Sequence, residues 1–156
     1  MEYVYDDGGR TKAGYKGKAR DCGTRAIAIV TGLPYQQVYD MVIEYAIRER
    51  ITKKKSVRSH PRTGIWQKTM RRIMADLGWV WVPTMLIGQG CKVHLHQDEL
   101  PSGRLLVNVS RHYTSVIDGV IHDTHNPCRG GCAGMKGGEP FTQKETRCVY
   151  GYYHKP

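Results

Sequence analysis

Apolar positions recur at helical spacing through the first half of the chain and alternate through the second. Residues 26–30, "AIAIV", are apolar on every side, the pattern of a helix buried on most of its faces. Asp21 stands where an N-cap belongs, so Cys22 would open this helix, and Gly32 takes the position just past Thr31. Pro34 opens a second helix, "PYQQVYDMVIEYAIRER", with Val38, Met41, Val42, Tyr45 and Ala46 on one stripe. A third, "GIWQKTMRRIMADLG", carries Trp66, Met70, Ile73, Met74 and Leu77, and stops at Gly78. The period then shortens to two. "WVWVPTMLI", with an edge or bend at Pro83, and then "GRLLVNVS", "HYTSVI", "GVIHDT" and "RCVYGYYH" read as short strands. Asp118-Gly119 is a two-residue hairpin turn between two of them. Helices followed by an antiparallel sheet predict an α+β fold in one domain over 1–156, with an extended arm over 1–17, a basic loop over 48–63 and a Gly-rich loop over 126–140.

Composition adds a charge asymmetry. Of the formal net charge of +10, residues 48–72 hold ten Lys and Arg against the single acid Glu49. The rest of the chain is close to neutral, so any acidic protein or nucleic-acid partner is expected to meet this segment, with Lys53, Lys54, Lys55, Arg58 and Arg62 at its centre. A solvated loop flanked by helix faces is the plainer reading. No aromatic stacking platform or DNA-reading motif accompanies the charges, and Trp66, Trp79 and Trp81 read as core. The apolar runs are far short of a membrane span and "MEYVYDDGGR" lacks a signal-peptide pattern, so the expectation is a cytoplasmic chain with no membrane partner. Five cysteines at irregular spacing are then expected to be mostly free thiols, Cys91 having no companion nearby.

One cysteine is placed for chemistry. A thiol is a useful nucleophile as thiolate, which a helix N-terminus and a neighbouring imidazolium both favour. Cys22 at the start of the first helix has the former. The hairpin supplies the latter: with Asp118 and Gly119 as its turn, Ile117 pairs with Val120, Thr114 with Asp123 and His112 with His125. Alternation sets His112, Thr114, Asp123 and His125 on one face and Ser115 and His122 on the other. Asp123 can then hold the second nitrogen of His112 as an orienting acid. The expected arrangement has the Cys22 helix packed against that hairpin face.

These residues carry a family resemblance. "DCGTRAIAIVTG" and "HYTSVIDGVIHDT" resemble the cysteine helix and the histidine hairpin of papain-like cysteine peptidases, in particular small phage and bacterial proteins with "DC-x-x-RA-x-A-x-x-TG" and "H-[YA]-x-x-V-x-DG-x-x-x-D[ST]". The two motifs cover about a sixth of the chain. The resemblance implies a papain-like fold, a cysteine hydrolase acting on a peptide or isopeptide bond, Cys22 as nucleophile, His112 as general base and acid, Asp123 as orienter, and no cofactor. For a phage protein it implies the host cytoplasm. The usual Gln a few residues before the cysteine is missing from "GYKGKARDC", which leaves the second oxyanion donor unassigned. Asp21 is ambiguous: as a cap it stabilises the helix, while its charge opposes the thiolate.

Competing readings use the same residues. Asn126 before Pro127 is either a fallback third member or a turn residue. A transglutaminase- or deamidase-like acyl transfer needs the same three groups. A basic binding module would use residues 48–72 and leave the triad idle. His122, Asp123, His125, Cys128, Cys132 and Cys148 include zinc-ligand types, but without paired CxxC knuckles, so no metal is expected.

Overall fold

The computed structural model describes residues 1–128, 135–136, 139–140 and 147–156. It is an α+β fold with three helices, a six-stranded sheet and a separate two-stranded pair. Strand β1 (Glu2–Tyr5) comes first, then helices α1 (Cys22–Thr31), α2 (Tyr35–Ile47) and α3 (Gln67–Asp76). The remaining strands are β2 (Val80–Pro83), β3 (Arg104–Val109), β4 (His112–Ile117), β5 (Val120–Asp123), β6 (Met135–Lys136), β7 (Glu139–Pro140) and β8 (Val149–His154). The large sheet runs β1-β5-β4-β3-β8-β2, and β6 pairs with β7.

Helix α1 begins and ends where its sequence signals stand. Gly32 adopts φ 76°, the left-handed conformation glycine takes without strain, and its N–H closes the helix on the Ala28 carbonyl. Helix α2 stops at Ile47, before the charged end of its predicted span, and Arg58 caps it by donating to the Ala46 and Glu49 carbonyls. Ile27, Val30, Val38, Val42, Met70, Ile73 and Met74 form one core with Leu106, Tyr113 and Tyr153 of the sheet. A second core on the opposite sheet face gathers Leu105, Val107, Val109, Val116, Ile121 and Val149 with Leu95 and Leu100. Burial of these side chains, at about 1.5–3 kcal/mol each, supplies most of the folding drive.

Three expectations are corrected. The sheet is mixed, because residues 2–5 of the expected arm are a strand lying parallel to β5, Glu2 opposite Val120 and Tyr5 opposite Asp123. Cys91 and Cys148 form a disulfide, so the described thiols Cys22 and Cys128 are the free ones. The partners are 57 residues apart in sequence and 5.8 Å apart at Cα, a proximity created by pairing the loop after β2 with the start of β8. The helical face of the hairpin is also the reverse of the expected one. Helix α1 lies on the side of Tyr113 and Ser115, whose hydroxyl donates to the Ala26 carbonyl at 3.3 Å. Of the Gly-rich loop, most including Cys132 lies outside the described residues. Among the described residues no helix is long and apolar enough to cross a membrane.

Gly151 shows how closely β8 and β2 are fitted. A β-carbon there would stand 2.3 Å from the Trp81 ring and 2.8 Å from the Val82 carbonyl oxygen. Gly151→Ala must push Trp81 off Tyr153, whose ring centroid is 4.8 Å away. A loss of about 2 kcal/mol is expected, lowering the melting temperature by roughly 4–8 °C in thermal unfolding followed by circular dichroism.

Candidate active site

The site assembles at one end of the sheet. His112 is the first residue of β4, Asp123 the last of β5, and the first turn of α1 abuts both. Cys22 and Arg25 reach groups whose strand positions alternate with the helix-facing Tyr113 and Ser115.

Asp21 occupies the N-cap position but its side chain makes no capping hydrogen bond, which corrects that expectation. Fully buried, its carboxylate accepts from Arg25 Nε at 2.9 Å, Tyr35 Oη at 2.8 Å and Arg10 Nη1 at 3.2 Å. Arg25 is one helical turn further on, so it sits above Asp21 on the same side of α1. Its Nη1 donates to Asp123 Oδ1 at 2.6 Å. Asp123 Oδ2 in turn accepts from Thr114 Oγ1 at 2.8 Å and lies 2.7 Å from His112 Nε2. Asp123 is 2 % exposed, and each carboxylate oxygen has at least two partners, the Thr124 N–H being the second at Oδ1.

Because Nε2 of His112 is taken by Asp123, Nδ1 is the ring nitrogen left for the thiol of Cys22. Burial alone would push that thiol up. The hydrogen bond and positive charge of His112, the Tyr113 backbone N–H and the charge of Arg25 outweigh it, and the Cys22 pKa falls below its ordinary value. Burial likewise opposes the charged form of His112, yet hydrogen bonds to Asp123 and Cys22 raise it to about 9. Burial works to raise the Asp123 carboxyl, but His112, Thr114 and Arg25 hold it well below the usual carboxylate range. The arrangement favours a thiolate–imidazolium pair steadied by a carboxylate. The charge of Asp21, beside the thiol in sequence, is met by Arg10 and Arg25.

A cavity of about 640 Å³ opens over the pair, lined among others by Arg20, Thr63, Gly64, Ile65, Gln67 and Tyr150. The end of the basic segment is thus one wall of the cleft, a placement invisible in sequence. Two side-chain amides, Asn108 and Gln67, line it alongside the Cys22 helix start. Gln67 arrives from α3, 45 residues after the cysteine rather than before it.

The other candidates separate. Asn126 Oδ1 accepts the Cys128 N–H at 2.9 Å, the turn role. Arg58 caps α2, and Arg62 donates to the Lys16 carbonyl and stacks over Tyr15. Lys53, Lys54 and Lys55 are exposed on a loop. Trp79 is buried, whereas Trp66 and Trp81 are half-buried. Cys148 is committed to its disulfide and so leaves the proposed ligand set. Among the described residues the one metal-capable group is His112, Asp123 and His125, with ligand atoms within 4.8 Å of one another. A guanidinium already bound to the same carboxylate repels a cation there, so the group fits orientation of His112 better than metal binding. Compared with known proteins, the chain matches no family model, no curated protein and no solved structure.

Two outcomes follow from this network. Arg25→Met leaves two buried carboxylates without their shared cation and is expected to cost about 3–5 kcal/mol in denaturant unfolding. For pH, the raised His112 pKa gives stability that is full below about 6.5 and lost as pH rises through about 9. The lowered Cys22 pKa acts oppositely, its contribution growing as pH rises towards the ordinary thiol value of 9.0. The two act in opposite directions, so the melting temperature of the native chain is expected to decline less across that window than that of Cys22→Ala. Parallel melting curves for the two proteins would remove the ion pair.

Proposed function

We propose that this chain is a papain-like cysteine hydrolase that cleaves a peptide or isopeptide bond. The observation that carries the reading is one hydrogen-bonded series: the thiol of Cys22 beside His112, and His112 Nε2 held 2.7 Å from the buried carboxylate of Asp123. The Cys22 thiolate attacks the scissile carbonyl carbon, forming a C–S bond and an oxyanion. As the C–N bond breaks, the imidazolium of His112 gives its proton to the departing amine. His112, now neutral, takes a proton from water, whose oxygen displaces the sulfur and releases the carboxylic acid. The backbone N–H of Cys22 at the start of α1 supports the oxyanion, and Gln67 or Asn108 from the cavity wall supplies the second donor. Asp123 orients the ring without accepting its proton. A transferase or deamidase would use the same groups and differ only in the acceptor or the amide attacked.

A second reading rests on a different cavity. Arg48, Arg50, Lys55, Lys68, Arg72 and Trp66 line a basic pocket of about 320 Å³, with the Lys55 ammonium 4.8 Å from the Trp66 ring centre. Such a surface suits an acidic protein or nucleic acid. It would recruit a partner without requiring Cys22.

Low-concentration iodoacetamide followed by mass spectrometry tests the first reading. A thiol in an unfolded chain loses about tenfold in rate per pH unit below its pKa. Cys22 is expected to be modified ahead of Cys128 and with a weaker pH dependence between about pH 6 and 8 than an ordinary thiol. Asp123→Asn lowers that rate and reduces any hydrolysis by about 10³–10⁴ through the wrong histidine tautomer. Ordinary pH-dependent labelling of Cys22 would refute the nucleophile. The second reading predicts binding to polyanions that weakens steeply with salt, survives Cys22→Ala and is lost on charge reversal of Lys53, Lys54 and Lys55.

A further inference from the structure

Both reacting groups have an exposed arginine close before them in sequence. Arg20 lies two residues ahead of Cys22, Arg111 immediately ahead of His112, and both line the cavity over the pair. Arg25, the third guanidinium of the lining, is neutralised by Asp21 and Asp123. The side chains of Arg20 and Arg111 have no ion pair or hydrogen bond among the described residues. Among the described residues no Asp or Glu lines the cavity.

Arg111 is also held in an unusual backbone conformation. It adopts φ 56° in the two-residue turn joining β3 to β4, where Val109 faces His112. Glycine or asparagine takes that left-handed conformation with less strain, so an arginine there is retained at a conformational cost. Beside this turn the Arg147 guanidinium donates to the Ser110 carbonyl, and burial, with the charges of His112, Arg25 and Arg147, lowers the His125 pKa. Among the described residues the cavity lining therefore carries two guanidinium charges, Arg20 and Arg111, with no acidic partner.

We infer that the cleft selects an acyl substrate carrying negative charge within a residue or two of the scissile carbonyl, an acidic peptide segment. A guanidinium fork matches a carboxylate in two parallel hydrogen bonds, and a cleft lined by one sign of charge raises the local concentration of the opposite sign. Binding of this kind fixes the peptide in the cleft without using the reacting groups themselves. The inference rests on the reading of Cys22 as the nucleophile.

Competitive alkylation of the native protein by iodoacetate and iodoacetamide separates the two ideas, one reagent being anionic and the other neutral. The ratio of Cys22 modification by the two is measured for the native chain, for Arg20→Glu, Arg111→Glu and their combination, and across added salt. A fall in the anionic preference of about tenfold in the double variant, with a parallel decline as salt rises, is expected. Arg111→Gly suits the left-handed turn and removes the charge, so it should shift the ratio the same way by a smaller factor while keeping the fold. A ratio unchanged in every variant, with Cys22 still selectively labelled, overturns the charge selection and leaves the nucleophile standing. Loss of selective labelling by either reagent in the native chain overturns both. In a digested peptide pool, cleavage beside Asp and Glu is expected about tenfold over Asn and Gln, and sites without that enrichment overturn the selection.

Discussion

The shared guanidinium of Arg25 is the constraint on which the site depends. It donates Nε to Asp21 and Nη1 to Asp123, joining the start of α1 to the end of β5 through buried ion pairs. Burying two carboxylates is unfavourable unless their charge and lone pairs are met, and here the same cation serves both. Tyr35 and Arg10 complete Asp21, while Thr114, the Thr124 N–H and His112 complete Asp123. The helix that carries the thiol is thereby locked in register with the strands that carry the imidazole and its acid.

Electrostatic order follows from that lock. Burial by itself would favour a neutral thiol, a neutral imidazole and a protonated acid. Paired charges reverse each preference: Asp123 stays ionised, His112 is held protonated up to about 9, and Cys22 is drawn towards thiolate. The dipole at the helix start acts in the same direction. Arg25 lines the cavity, and its charge helps lower the Cys22 pKa while its hydrogen bond helps lower that of Asp123.

The N-terminal residues have a structural part in this arrangement. Strand β1 covers the outer edge of β5, and Asp6 continues it by donating its N–H to the Asp123 carbonyl at 2.9 Å. Gly8, at φ 66°, brings the chain so close to α1 that a β-carbon there would meet the Arg25 carbonyl oxygen at 2.9 Å. Arg10 then reaches Asp21. The first ten residues thus clamp the two elements that Arg25 joins from within.

Local rules in the sequence determined a great deal. The bounds of α1, the three helices in order, the Asp118-Gly119 hairpin and the pairing of Ile117 with Val120 all follow from spacing, turn chemistry and caps, which act over a few residues. The association of His112 with Asp123 was legible too, because a two-residue turn fixes register. Tertiary structure alone decided the rest. The parallel β1–β5 contact, the Cys91–Cys148 disulfide, the side of the sheet that α1 covers, Arg25 as a bridge, and Gln67 with Arg111 at the cleft all join residues distant in sequence or turn on a side-chain direction that periodicity does not encode. Asp21 shows the division within one residue. Its position at the helix start was written in the sequence, but its carboxylate is turned to a buried guanidinium and phenol, whose charge and hydrogen bonds meet it in place of a capping N–H.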